Sequence, residues 1–322
     1  MTSPFDVLTV GRISVDLYAR EPGAGFAETQ TFTKSVGGSP TNVAVAAARL
    51  GLHAAAVTRV GGDDLGRFAV ARLRGWGVDT AFVDSVTGVN TPLALAALDP
   101  PEEPTVAFYR GSAAPDTTIT ADDVPLDVIT SARALWVSQG ALAQGSTAEA
   151  CMAWLTARGR APHAILDLDY RPALWASRDA ARAAARAALA HCTVAVGNRA
   201  ECDMAVATPD ADAAADALLG LGLQLAVVKM GADGVLLATP DDRVRVAPLP
   251  VPVVCGLGAG DAFGGALVMG LIAGWPLREV GEFANAAGAH VVQQLTCADA
   301  MPTRDQVTAL RDSVAHEVEG AR

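Results

Sequence analysis

Lysine is nearly missing from this chain: its 322 residues include two, Lys34 and Lys229. Acids outnumber Lys plus Arg by 35 to 24, giving a formal net charge of −11. That balance argues against nucleic acid or an anionic membrane as a partner, because phosphate-rich surfaces select basic faces. Cysteine is sparse as well. Cys151, Cys192, Cys202, Cys255 and Cys297 are odd in number and form no CxxC pair. A disulfide scaffold is therefore a weak reading for a chain this long, and a reducing cytoplasm is the expected location. The five histidines show no HxxxH or HxxEH spacing, so zinc has no sequence case. No Gly-Lys dipeptide occurs, which removes the Walker A loop. The apolar run from Ala262 to Trp275 is too short to cross a bilayer and is full of glycine. The opening MTSPFDVLTVG has no basic region or long apolar core, so a signal peptide is not expected. The expectation is a soluble protein without low-complexity linkers or repeats.

What is present is a chain half hydrophobic, enough for a sizeable core. The length fits one large α/β domain with an appendage, or two domains. FDVLTVG reads as a first strand, with HAAAVTRVG another. SPTNVAVAAARLG reads as a helix capped by Ser39 or Thr41, with Pro40 in its first turn and Gly51 stopping it. From about Asp127 the pattern becomes strand, helix, strand, through ALWVSQG, HAILDLDY, TVAVGN and QLAVVKMG. GVLLATP and RVRVAPLPV add a β pair, and a mainly helical tail is broken at Pro276 and Pro302. Such alternation predicts a three-layer α/β sandwich with a mainly parallel central sheet. Residues 13–36 and 91–110 read instead as short alternating strands and are expected to form an inserted β lid. The α/β core then comprises 1–12, 37–90 and 111–322.

Five stretches can carry chemistry. In Gly258-Ala259-Gly260-Asp261, small residues would let backbone N–H groups converge on an anion at a helix N-terminus. An ordinary Asp N-cap is the plainer reading. KSVGGSPTN puts Gly37-Gly38 and Asn42 at a strand-to-helix turn. LDLDYRP puts Asp167, Asp169 and Arg171 at the end of a buried strand, where substrates bind in open sheets; a structural ion pair is the alternative. VGNRAE offers Asn198 and Glu201 at spacing suited to a phosphate–magnesium network through water. VVKMGADG sets Lys229, Gly231 and Gly234 after another buried strand.

Taken in order, GG near 37, NxxE at 198–201, KxGxxG at 229–234 and GAGDAF at 258–263 resemble the ribokinase-like (phosphofructokinase-B) sugar kinases, from Val10 to about Thr303. FTKSVGGSPTNVAVAAARLG, LDLDYRPALW and CADAMPT are similar to the branch acting on 5-dehydro-2-deoxygluconate, in inositol catabolism. Tyr109-Arg110-Gly-Ser-Ala-Ala is similar to a branch acting on 2-keto-3-deoxygluconate, the runner-up. The resemblance implies Asp261 as general base, with Gly258, Ala259 and Gly260 forming an anion hole. It implies Asp16, Gly38 and Asn42 on sugar hydroxyls, and Tyr109, Arg110, Asp169 and Arg171 toward the acid end. Asn198, Lys229, Gly231, Gly234, Gly258 and Asn285 would serve ATP, with Asn198 and Glu201 organising Mg2+ indirectly. A homodimer through the lid is also implied. Two departures stand out. Cys255-Gly256 replaces the usual Asp-Thr, leaving use of a monovalent cation (K+) open, and Asp169 stands where many members carry Asn. A nucleoside kinase of the same fold and a non-catalytic sugar-acid sensor are the competing readings.

Overall fold

The computed structural model describes residues 4–111 and 113–320, with side chains to residue 313. Ser112, in the runner-up motif, and Met1–Ser3, in the opening segment, lie outside the described residues. The strands in chain order are β1 (Val7–Val10), β2 (Ser14–Ala19), β3 (Phe32–Gly37), β4 (Ala54–Gly61) and β5 (Asp79–Val86). There follow β6 (Leu93–Ala97), β7 (Thr105–Tyr109), β8 (Ala134–Ser138) and β9 (Ala164–Asp167). The last are β10 (Val194–Asn198), β11 (Leu225–Lys229), β12 (Val235–Ala238) and β13 (Arg243–Val246).

Nine strands form one sheet in the order β13-β12-β11-β10-β9-β8-β1-β4-β5. From β11 to β5 every pairing is parallel, with Val7 beside both Ala54 and Ala134. β12 and β13 close one edge antiparallel, as their short hydrophobic runs allow. Strands buried on both faces need cover on both. Two core clusters supply it: one gathers Trp136, Val43, Leu267 and Phe283, the other Leu8, Leu135, Trp154 and Leu166. Val7 and Leu8 are adjacent and point into different clusters, as period-two alternation requires.

The glycine-rich apolar run becomes the helix Ala259–Ala273. Its glycines serve close packing: a Cβ on Gly265 would lie 2.5 Å from the Ala46 Cβ. Hence this helix presses directly on the helix Ser39–Arg49.

The two segments expected to form a lid do pair into one four-stranded sheet, in the order β3-β2-β6-β7. β2 runs antiparallel to β3 and parallel to β6. This smaller sheet fits a lid beside the carboxyl ends of the central strands. Beneath it Tyr18, Ala96, Leu98, Cys255 and Cys297 form a separate small apolar cluster.

Two readings need correction. The helix Ser39–Arg49 is capped by Gly38, with no side-chain cap. The Ser39 hydroxyl instead donates to Asp167 Oδ2 at 3.2 Å, and Thr41 donates to the Arg12 carbonyl at 3.0 Å. Tertiary partners outcompeted the local cap. The edge strand β5 went unread because its residues are half-buried or exposed, leaving no alternation to detect.

Candidate active site

The centre of the site is the start of the helix Ala259–Ala273. Gly258 caps it at φ 85°, a left-handed conformation that favours glycine. A Cβ there would also come 2.7 Å from Cys297 Sγ. The helix's first backbone N–H groups have no partner within the helix and carry its positive end. Asp261 sits in this first turn without capping it. Its Oδ2 instead accepts from Asn42 Nδ2 at 2.8 Å, so the N-cap reading of Asp261 is set aside. Burial pushes the Asp261 carboxyl up from its ordinary range, against the Asn42 hydrogen bond, and the nearby Asp169 charge adds to the rise.

Lys229, at the end of β11, holds its ammonium beside Gly260, 3.1 Å from where a Cβ would stand. Burial alone would lower the ammonium; Glu201, Asp167, Asp261 and Asp169 around it outweigh that and raise it. Burial likewise pushes Asp167 upward, with Lys229 opposing. Asp169 goes the other way. Burial would raise it, but the Arg12 and Arg171 guanidiniums prevail and hold it low. The ion pairs are 2.6 Å from Arg12 Nη2 and 2.9 Å from Arg171 Nε.

A cavity of about 530 Å3 opens in front of this helix start. Asp16, Gly38, Asn42, Asn198, Gly258 and Asp261 line it, joined by Arg12 and Arg171. The lid supplies Ala94, Val106 and the turn Glu102–Pro104. Asp16 accepts from Ser14 at 2.7 Å, and its Oδ2 lies 3.2 Å from the Tyr18 hydroxyl. Burial raises its pKa to about 6 against those hydrogen bonds. An adjoining cavity of about 110 Å3 is walled by Arg12, Phe108, Arg110, Arg171, Ala173 and Leu174.

Not every expected residue joins them. Tyr109 is 64% exposed on the edge strand of the lid. Asn285 donates to the Ala247 carbonyl at 2.9 Å, and neither cavity includes it. Gly234 makes the turn into β12, where a Cβ would meet the Val246 carbonyl at 2.0 Å; Gly231 opens the same turn. Arg110 is paired with Asp116 at 2.7 Å. Asn198 and Glu201 form a reciprocal capping box on the helix Arg199–Val206: Asn198 Oδ1 accepts from the Glu201 N–H at 2.9 Å, and Glu201 Oε2 from the Asn198 N–H at 2.7 Å. Among the described residues, no group of three or more His, Cys, Asp or Glu could cage a metal.

Sequence reasoning missed Arg12, Ser39 and Cys297. Arg12 follows Gly11 at the carboxyl end of β1, and that position alone could have drawn it into the candidate set. The Cys255-Gly256 departure from pattern also gains a reason, at Gly256. Gly256 donates its N–H to the Pro101 carbonyl at 2.8 Å, and a Cβ there would lie 2.0 Å from the Glu102 carbonyl oxygen. The lid turn occupies the space of a side chain.

A family profile described as pfkB family carbohydrate kinase matches residues 5–304. The chain is 36% identical over 311 residues to the 5-dehydro-2-deoxygluconokinase of Geobacillus thermodenitrificans, covering 94% of this chain and 92% of that protein. The crystal structure of a PfkB protein from Polaromonas sp. JS666 superposes with a TM-score of 0.82 at 27% identity, over 95% and 99% of the two chains. A fructokinase with bound ATP from Xylella fastidiosa gives 0.84 at 25%, over 96% and 98%.

Proposed function

The chain belongs to the pfkB family of carbohydrate kinases, and from that premise we propose that it transfers the γ-phosphoryl group of ATP to a keto-deoxy sugar acid. The specific acceptor is 5-dehydro-2-deoxy-D-gluconate, phosphorylated at its 6-hydroxyl. One observation carries the reading. A half-buried carboxylate at a glycine-capped helix start shares its cavity wall with guanidiniums that can receive a sugar acid's carboxylate.

The chemistry follows from that arrangement. The sugar's hydroxyl gives its proton to Asp261 as its oxygen bonds to the γ-phosphorus, and the bond to the β-phosphate oxygen breaks to release ADP. Asp261, raised by burial, is a stronger base than a free aspartate. Asn42 aims it. The N–H groups at Gly258–Gly260 receive the charge on the transferring group, with the Lys229 ammonium beside them. Phosphoryl transfer demands positioning and charge stabilisation more than a strong base, so these parts suffice. Asp16 and Asn42 hold hydroxyls, and Arg171 with Arg110 faces the carboxylate.

Magnesium fits as an ion carried in by the nucleotide and held through water near Asn198 and Glu201, since each side chain already accepts from the other residue's backbone N–H. It would neutralise phosphate charge. Potassium at the Cys255 position does not fit. The thiol there is buried in an apolar cluster, and thiols are poor ligands for hard cations.

The test is a sugar panel with purified protein, ATP and magnesium, read as ADP release. The expected result is the highest kcat/KM on 5-dehydro-2-deoxygluconate. Faster turnover of 2-keto-3-deoxygluconate, ribose, fructose or a nucleoside would reject the assignment. Asp261→Asn should lose at least about 100-fold in kcat with its melting temperature kept, the range of general-base removal.

A further inference from the structure

We propose that Arg12 is the residue that selects an anionic over a neutral sugar, taking the substrate's carboxylate on a guanidinium that Asp169 holds in place. The inference rests on the sugar-acid reading above and adds a residue that reading did not use.

Arg12 lines both cavities, the larger with Asp261 and the smaller with Arg110 and Arg171. It is therefore shared by the reacting end and the cationic end. Its side chain is 11% exposed. Nη2 lies 2.6 Å from Asp169 Oδ2. Nη1 is buried with no hydrogen-bond partner, and Arg110 Nε is in the same condition. A buried N–H left unpaired carries a desolvation cost that a substrate oxygen would remove. The fold makes room for this head group. A Cβ on Gly140 would come 2.8 Å from Arg12 Nη1, so Gly140 leaves the space the guanidinium fills.

Charge points the same way. Arg12, Arg110 and Arg171 bring three positive charges to the wall of the small cavity. Asp169 answers Arg12 and Arg171, and Asp116 answers Arg110. Within these ion pairs three guanidiniums meet two carboxylates, a set to which a substrate carboxylate adds a partner. Phe108, Ala173 and Leu174 complete the wall without adding polar groups, so the guanidiniums decide what enters. Arg171 lines both cavities but is 45% exposed on its side chain and screened by water; Arg110 is 10% exposed but lines the smaller cavity alone; Arg12 is both nearly enclosed and open to both cavities. A charge contact is worth more where water is excluded. That difference places the discrimination on Arg12.

The experiment measures KM and kcat for native protein, Arg12→Gln and Arg12→Lys. The acceptors are 5-dehydro-2-deoxygluconate and its neutral carboxamide. Native protein should prefer the acid. Arg12→Gln should raise KM for the acid by about 10- to 100-fold, the scale of a lost charge-assisted hydrogen bond. Its KM for the carboxamide and for ATP should stay within about threefold. Arg12→Lys, which keeps the charge and loses the fork, should fall between. Arg12→Gln that keeps the native preference for the acid overturns the assignment of Arg12 while leaving the proposed function standing. So does a variant in which both acceptors weaken together, since that reports a structural role. Native protein that prefers the carboxamide rejects the sugar-acid reading, and this inference with it.

Discussion

Asp16 is a half-buried carboxyl in the wall of the larger cavity, and its titration makes a stability statement. Burial lifts its pKa from 3.8 unfolded to about 6 folded. The folded chain therefore holds this proton more tightly than the unfolded chain does. Unfolding releases it between those two values, so this group's contribution falls as pH rises through the window and is fully lost above about 6. The shift corresponds to about 3 kcal/mol. Asp16→Asn removes the ionisable group while keeping an acceptor for Ser14. It should melt higher than native protein at pH 8, and the gap should close as pH drops toward 4. The same variant should turn over poorly, because Asp16 lines the cavity. A variant no more stable than native at pH 8 would show that the buried charge is solvated after all. At this scale some of the site could be read in advance. Asp261, Asn42, Gly258 and Arg171 stood out because glycine and acid spacing mark helix starts and strand ends. Arg12 did not, because one arginine after one glycine forms no pattern. Only the fold shows that β1 and β9 lie close enough for Arg12 to meet Asp169.

At the scale of elements, two helix starts do the positioning, and both use glycine caps. Gly38 has φ 98°, and a Cβ there would lie 2.4 Å from the Arg12 carbonyl oxygen. Gly38→Ala should destabilise the fold by roughly 2 kcal/mol or more, given the strained backbone and a backbone neighbour that cannot step aside. The check is the midpoint of denaturant unfolding. An unchanged midpoint would mean that the turn relaxes freely. Expected strands were largely correct because buried parallel strands are continuous apolar runs bounded by glycine or polar residues. β5 escaped because an edge strand needs no apolar face. The cap on Ser39–Arg49 was misread for a related reason: Ser39 and Thr41 have the right chemistry for capping, but the fold offers them Asp167 and the Arg12 carbonyl instead. The NxxE stretch, read as a magnesium network, turns out to form a capping box. It caps a helix, and it lies at the edge of the cavity.

At the scale of the whole molecule, two of the ties between the smaller sheet and the core bear on the site. Asp299 accepts from Ser35 on β3 at 2.5 Å and pairs with Arg72. Two residues earlier, Cys297 Sγ lies 2.8 Å from the Tyr18 hydroxyl on β2 and packs against Gly258. The segment read as a mark of one family branch thus binds lid strands to the start of the helix Ala259–Ala273. The second tie is Gly256 against the turn Pro101–Glu102. Gly256→Ala should push that turn away and lower kcat/KM for the sugar by about 10- to 100-fold, the usual cost of an ångström-scale displacement near the chemistry. KM for ATP should move less. Equal losses for both substrates would show that the effect spreads through the fold.

Lys229 beside Gly260 has a practical corollary. The surface takes its positive charge almost wholly from arginine, whose guanidinium does not acylate under conditions that modify amines. The other lysine, Lys34, is exposed on β3, with its ammonium over the Phe68 ring. Side-chain amine chemistry therefore has two addresses in this protein, one on the lid and one beside the start of the helix Ala259–Ala273. The two should differ in reactivity: the acids around Lys229 hold its amine protonated, so the exposed Lys34 should acylate first.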